Sequence, residues 1–131
     1  MHTLKTRVYY EDTDAQGVVY YANYLRFFER ARTEALRGAG YGQMKLMNEG
    51  LIFVVRNVEM QLLKPAKLDD ELSINTSLIK LGKVSFDFNQ EVFVDDTLVT
   101  QAKIQCGCLD SEKFTPSSLP EYLHNGMKKL I

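Results

Sequence analysis

The sequence predicts an α+β domain in which one long helix lies against a small antiparallel sheet. Two patterns carry the prediction. Tyr20, Tyr24, Phe27, Ala31 and Ala35 recur at spacings of three and four, which is the helical period. After Gly50 the period changes to two, in four successive stretches separated by turn residues. Strands joined by short turns pair antiparallel. A helix that is apolar along one side must bury that side against them.

The elements follow in order. Leu4 to Tyr10 reads as a strand, with Thr6, Val8 and Tyr10 on one face and Arg7 and Tyr9 on the other. The long helix is predicted over Val19 to Arg37. Arg26, Arg30, Thr33 and Arg37 share its polar face, Leu25, Phe28 and Leu36 widen the apolar one, and Gly38 and Gly40 close it. Tyr41 to Glu49 forms a short second helix before Gly50. Leu51 to Leu63 is a long strand that ends at Lys64-Pro65-Ala66-Lys67, because proline has no ladder N–H to give. Leu72, Ile74, Thr76 and Leu78 alternate in the next strand, and Gly82 marks a tight turn. Val84, Phe86, Phe88, Val92 and Val94 share a face of the following strand. Asp95-Asp96 is a hairpin turn, and Leu98, Thr100, Ala102, Ile104, Cys106 and Cys108 alternate to Leu109. The polar tail from Ser111 holds Pro116 and Pro120, the second of which starts a short helix over 120–129. The expectation is one domain over 1–131 with its core at about 4–110. A small sheet leaves unpaired edges, and self-association commonly covers them.

Composition excludes several classes. The 131 residues carry a formal net charge of −1, without the basic footprint of a nucleic-acid binder. No apolar run is long enough to cross a bilayer, and no N-terminal stretch has the core of a signal peptide. A cytoplasmic protein is the expectation. The only cysteines, Cys106 and Cys108, point to the same face of a strand and read as buried, reduced thiols. They lack the further ligands that zinc takes, so no metal is expected.

The candidate chemistry lies between the first strand and the helix. Glu11, Asp12 and Asp14 place three carboxylates within four residues, just ahead of Gly17 and the helical stretch. An acid there faces unpaired backbone N–H groups and the positive end of the helix dipole. Such a place polarises an oxygen that is becoming negative. Asp14 is the best placed, because Gly17 lets the chain turn sharply between it and the helix. Its carboxylate can attack a carbonyl carbon or take a proton from water. The N–H groups near Val19 to Tyr21 would hold the carbonyl oxygen. His2 and His124 lie near the termini, so a histidine-based triad is not available. Tyr20, Tyr24, Phe27 and Phe28 read as core residues that also line a pocket beside the acid. Glu29 and Arg32, three apart on the helix, read as a structural ion pair. Lys80 and Lys83 flank the Gly82 turn and read as solvated, with a phosphate contact as the alternative.

The run Tyr10-Glu11-Asp12-Thr13-Asp14-Ala15-Gln16-Gly17-Val18-Val19-Tyr20, then Asn23-Tyr24, then Glu29-Arg30-Ala31-Arg32, resembles the hot-dog-fold acyl-CoA thioesterases. Within them it is most similar to the 4-hydroxybenzoyl-CoA thioesterase family and its YbgC-like group. Pro65-Ala66-Lys67-Leu68-Asp69-Asp70-Glu71-Leu72 also resembles that family's strand-to-strand turn, and the resemblance runs from roughly Arg7 to Leu109. It implies a curved antiparallel sheet around a central helix, assembled as homodimers or homotetramers with active sites at subunit boundaries. It implies hydrolysis of short-chain or aromatic acyl-CoA to a free acid and CoA thiol, with no cofactor beyond the CoA of the substrate. The family's catalytic acid falls on Asp14, as nucleophile or general base, and its carbonyl-polarising amide on Tyr21. Gly17, Tyr20 and Tyr24 would border the substrate, and Arg56, Lys83 and Ser85 would hold the nucleotide part. Two residues depart from the pattern: many YbgC-like members have histidine where this chain has Tyr21, and Gln16 stands where glycine is common. The competing reading is a non-catalytic subunit that binds acyl groups or acyl carrier protein. A hot-dog dehydratase would need a histidine in the site, which this chain does not offer.

Overall fold

The computed structural model describes residues 1–131, apart from the side chain of Gln43. Five strands form one antiparallel sheet: β1 (His2–Arg7), β2 (Leu51–Leu62), β3 (Glu71–Leu81), β4 (Ser85–Val94) and β5 (Thr97–Asp110). Their order across the sheet is β1-β3-β4-β5-β2. The hairpins β3–β4 and β4–β5 are consecutive in sequence, so short turns suffice to join them. Strand β2 reaches β5 only through long-range pairing, from Leu51 opposite Asp110 to Leu62 opposite Thr100, and it ends the sheet. A register shift between Val55 and Asn57 leaves Arg56 out of the ladder.

Helix α1 (Asn23–Gly38) packs on this sheet. Phe27, Phe28, Ala31 and Ala35 are buried against Leu72, Ile74, Phe86, Phe88, Val92 and Ile104, which point inward from β3, β4 and β5. Full burial of one such side chain is worth about 1.5–3 kcal/mol. Four buried phenylalanines therefore fix which side of α1 faces the sheet. The opposite side, with Leu25, Arg26, Glu29 and Arg30, is exposed, so the helix is less enclosed than its apolar content suggested. Gly40, at φ 94°, ends the helix, and the Tyr41 N–H turns back to the Leu36 carbonyl at 2.9 Å. The short helices α2 (Gln43–Asn48) and α3 (Glu121–Met127) complete the fold. Leu123 and Met127 of α3 are fully buried.

Two boundaries on either side of Asp14 differ from the sequence expectation. The first strand stops at Arg7, and Tyr10–Asp12 form a 3-10 turn that leaves Tyr10 83 % exposed instead of facing inward. The long helix starts at Asn23, not Val19. Val18 and Val19 are held in isolated bridges with Lys67 and Thr13, so the chain stays extended there. Two β-branched residues in succession favour that choice.

Candidate active site

Asp14 opens a tight turn. Its carbonyl accepts from Gly17 N–H at 3.0 Å, its own N–H donates to the Val18 carbonyl at 2.9 Å, and Gly17 takes φ 79°. A side chain at position 17 would be strained for this reason alone. One carboxylate oxygen of Asp14, Oδ1, accepts from the Gln16 N–H at 2.8 Å. This contact fixes the side-chain rotamer and leaves Oδ2 without a partner in the chain among the described residues. Asp14 is half-buried and borders an open cleft of about 280 Å³. Val18, Val19, Tyr21 and Tyr24 line the cleft from the helix side, and Leu62, Leu63, Lys64 and Pro65 from the end of β2.

The two walls are tied together by the backbone. Val19 N–H donates to the Ala66 carbonyl at 2.8 Å, and Leu68 N–H to the Gly17 carbonyl at 3.2 Å. On the other flank Tyr20 N–H donates to the Asp12 carbonyl at 2.9 Å, and Asn23 Nδ2 reaches the same oxygen at 2.9 Å. The amides of Asn23, Tyr24 and Leu25 donate to carbonyls three residues back, which tightens the first turn of α1. No partner within the described residues takes the Tyr21 or Ala22 N–H. Of the amides expected to hold an oxygen, those of Val19 and Tyr20 are committed, and the one without a partner among the described residues is that of Tyr21, a residue that lines the cleft. The Tyr21 residue stands two places before the helix rather than within its first turn.

The other predicted positions divide into two groups. Tyr24 is 3 % exposed, lines the cleft, and has its phenol pushed up by burial. Tyr20 is 45 % exposed, packs against the Tyr21 ring with centroids 5.1 Å apart, and is not part of the cleft wall; it is not a core residue as expected. Arg56, Lys83 and Ser85 do not border the Asp14 cleft within one chain. They gather near one another at the far end of the sheet. Ser85 pairs with Gly107, and the Arg56 side chain packs beside that glycine. A Cβ built at Gly107 would lie 3.5 Å from Arg56 Cδ, an ordinary contact, so the arginine stem lies directly alongside this position. The sequence reading missed Leu62, Leu63 and Lys64 as cleft walls. The signal was present in the proline that ends β2, since an apolar strand interrupted there turns its last side chains onto whatever lies opposite.

A second, more enclosed cavity of about 170 Å³ lies between the later part of α1, helix α2 and the start of β2. Phe53, Phe86 and Phe88 line it from the sheet, and Leu36, Tyr41, Leu46 and Met47 from the helices. Glu29 and Arg32 border it as the ion pair that their spacing predicted. Arg32 is buried and also donates to Gln90 Oε1 at 3.0 Å. Gln90 in turn donates to the Phe28 carbonyl at 3.0 Å and to Thr76 Oγ1 at 2.9 Å. Cys106, also on this cavity, is a buried free thiol, and burial pushes it up to about 11; Cys108 behaves in the same way. Among the described residues no three His, Cys, Asp or Glu side chains cluster as metal ligands would. Among the described residues no helix is long and apolar enough to cross a membrane.

Residues 8–126 match the thioesterase-like superfamily. The chain belongs to this superfamily. It is 45% identical over 116 residues to the acyl-CoA thioester hydrolase YbgC of Escherichia coli O6:H1, which covers 88% of this chain and 87% of that relative. It is 34% identical over 128 residues to the acyl-CoA thioesterase YbgC of Helicobacter pylori strain 26695, covering 90% and 93% of the two chains. Among solved structures, a probable thioesterase from Bartonella henselae superposes with a TM-score of 0.86 at 38% identity, over 91% of this chain and 98% of that one. The YbgC-like resemblance and the hot-dog fold expected from the sequence both agree with these thioesterase relatives, and the chain is an enzyme of that group.

Proposed function

We propose that this thioesterase hydrolyses short-chain or aromatic acyl-CoA, with Asp14 as the reacting acid and the Tyr21 N–H as the donor to the thioester oxygen. One observation carries the reading: a carboxylate with a free oxygen and an unpartnered amide border the same cleft. As nucleophile, the Asp14 carboxylate adds to the thioester carbon, the C–S bond breaks, CoA leaves as thiolate, and water then splits the resulting anhydride. As general base, Asp14 takes a proton from water, and the water oxygen adds instead. In both routes negative charge develops on the carbonyl oxygen, where the Tyr21 N–H meets it. Loss of one such donor typically costs about a hundredfold or more in rate.

The end of β2 borders the cleft, and β2 is a free edge among the described residues. Val55, Val58 and Leu62 on that strand and Leu63 after it are 47, 39, 51 and 49 % exposed. An exposed apolar edge of this length is a template for a second strand. Pairing of β2 with β2 of a second copy about a twofold axis would run the strands antiparallel. The start of one strand then lies beside the end of the other. The enclosed cavity and the Arg56–Lys83–Ser85 group of one protomer would thereby approach the Asp14 cleft of its partner. That supports a homodimer in which the acyl group enters the partner's cavity and the nucleotide meets the partner's basic group.

Release of free thiol from a panel of acyl-CoA esters tests the proposal. Asp14→Asn should reduce kcat by at least about a hundredfold, in the range typical of lost acid–base function. Full activity in that variant would refute the assignment of Asp14. Label in the Asp14 carboxylate after a single turnover in ¹⁸O-water would identify the nucleophilic route with water attacking the aspartyl carbonyl, because general-base attack puts the water oxygen only in the product acid.

A further inference from the structure

Helix α2 forms one wall of the enclosed cavity through Leu46 and Met47, and its attachment to the fold is unusual. Glycines in the left-handed region stand on either side of it, Gly40 at φ 94° and Gly50 at φ 77°. Among its described side chains Leu46 alone is buried, whereas Met44 and Met47 are 71 and 57 % exposed. So short a helix has little stability of its own. What holds its outer side is the C-terminal helix. Tyr122 Oη donates to Glu49 Oε1 at 3.1 Å, and the Lys45 ammonium sits 4.0 Å from the centre of the Tyr122 ring. The helix that carries Tyr122 is itself anchored, by buried Leu123 and Met127 and by Gly126 packed against the Ala39 carbonyl.

We propose that α2 is a flap, hinged at Gly40 and Gly50 and latched by Tyr122, whose Leu46 and Met47 set the length of acyl group the cavity admits. Segments that absorb motion at a few backbone positions and carry few buried contacts open before the rest of a fold does. The volume indicates the class of occupant. An apolar cavity of about 150 Å³ is enough for a benzene ring. The cavity of about 170 Å³ therefore suits an aryl group or a chain of roughly six carbons. Strand β2 rises about 3.3 Å per residue, so Leu51 lies roughly 13 Å from the exposed Val55. Helix α2, which precedes Leu51, forms the cavity wall at the Leu51 end of β2. A longer chain must displace Met47 or lift the flap. This inference rests on the thioesterase reading only where it names the occupant.

Two variants and two readouts test it. Hydrogen exchange at the amides of Leu46, Glu49 and Gly50, which bond to Gly42, Lys45 and Met47, reports flap opening without reference to activity. Tyr122→Ala removes one hydrogen bond and one cation–π contact, and should accelerate exchange there by roughly five- to thirtyfold over the wild-type protein. Met47→Ala shortens the wall at a partly exposed site that folding does not depend on. It should raise the ratio of octanoyl-CoA to butyryl-CoA hydrolysis (kcat/KM) by about fourfold for each methylene newly admitted. An unchanged ratio in Met47→Ala and unchanged exchange in Tyr122→Ala, in a protein that hydrolyses the panel, would overturn the flap and leave the thioesterase reading standing. Accelerated exchange in a protein that cleaves none of the esters would uphold the hinged flap and remove the thioesterase reading.

Discussion

Gln90→Leu is the substitution whose cost follows most directly from the structure. Gln90 is fully buried between α1 and β3. Its carbonyl oxygen accepts from Arg32, and its amide donates to the Phe28 carbonyl and to Thr76. Leucine has a similar volume and no polar atoms. Arg32 would lose an acceptor while still 93 % buried, and a hydrogen bond to a charged group is worth about 1.5–3 kcal/mol. The Thr76 hydroxyl would lose its donor, at about 1–3 kcal/mol for a buried group left unpaired. Added apolar burial returns roughly 1 kcal/mol. The net loss is about 3 kcal/mol, a large part of the 5–15 kcal/mol typical of a domain.

Urea unfolding at one fixed protein concentration measures it, since self-association would make the midpoint depend on concentration. With a slope of about 2 kcal/mol per molar, the midpoint falls by about 1.5 M. The double variant Arg32→Met with Gln90→Leu removes the buried charge along with its acceptor and should recover the part of the loss that Arg32 contributes, leaving the unpaired Thr76 hydroxyl, because breaking a buried pair costs more than replacing it with apolar groups. A midpoint shift below about 0.5 M for Gln90→Leu would refute the reasoning. So would a double variant no more stable than the single one.

Three further outcomes are expected. A Cβ at Gly126 would sit 1.9 Å from the Ala39 carbonyl oxygen, so Gly126→Ala must displace α3. It should cost about 1–3 kcal/mol, seen as a lower Tm together with loss of exchange protection in the C-terminal helix. Burial raises both thiols from 9.0 to about 11. Between those values an unfolded chain ionises them and the folded one does not, so the stability they carry is intact below pH 9 and falls as pH rises toward about 11. Thermal scans from pH 8 to 11 check it, and Cys106→Ser with Cys108→Ala should flatten the slope. Val58→Lys places a charge in the middle of the free β2 edge and should shift sedimentation from dimer to monomer, with hydrolysis lost in parallel. A dimer unaffected by that charge would place the interface elsewhere.

Strands β3, β4 and β5 were legible because each buries one face, and alternation at period two is what such burial selects. The same pattern hid Gln90. It occupies an inward position between Phe88 and Val92 but is polar, and a search for apolar repeats passes over it. An inward polar residue on a buried strand needs a partner, so its position already implied the buried charge on α1. The start of α1 was not legible. Val18 to Tyr21 fit a helical spacing, and part of what holds them extended is pairing with Lys67 and Ala66, far along the chain. The far wall of the cleft, from Leu62 to Pro65, was hidden for the same reason. The candidate acid could be singled out from local sequence, since it stands in a four-residue turn from Asp14 to Gly17.

The late start of α1 changes what the site is made of. Had the helix begun at Val19, the amide of Tyr21 would belong to its first turn, one of several similar donors pointing the same way. Instead the amides of Val19 and Tyr20 are spent on Ala66 and Asp12, and Tyr21 follows them with its N–H unpartnered among the described residues. A donor fixed by its neighbours' hydrogen bonds need not reorganise when charge appears on a substrate oxygen, and that absence of reorganisation is where most of the electrostatic benefit arises. The helix that follows adds its positive end to the same place. The bridges at Val18 and Val19 that delay the start of the helix are therefore also the contacts that would aim the proposed Tyr21 donor. Weakening them should lower kcat more than it raises KM, since a donor realised fully only at the transition state acts on the chemical step.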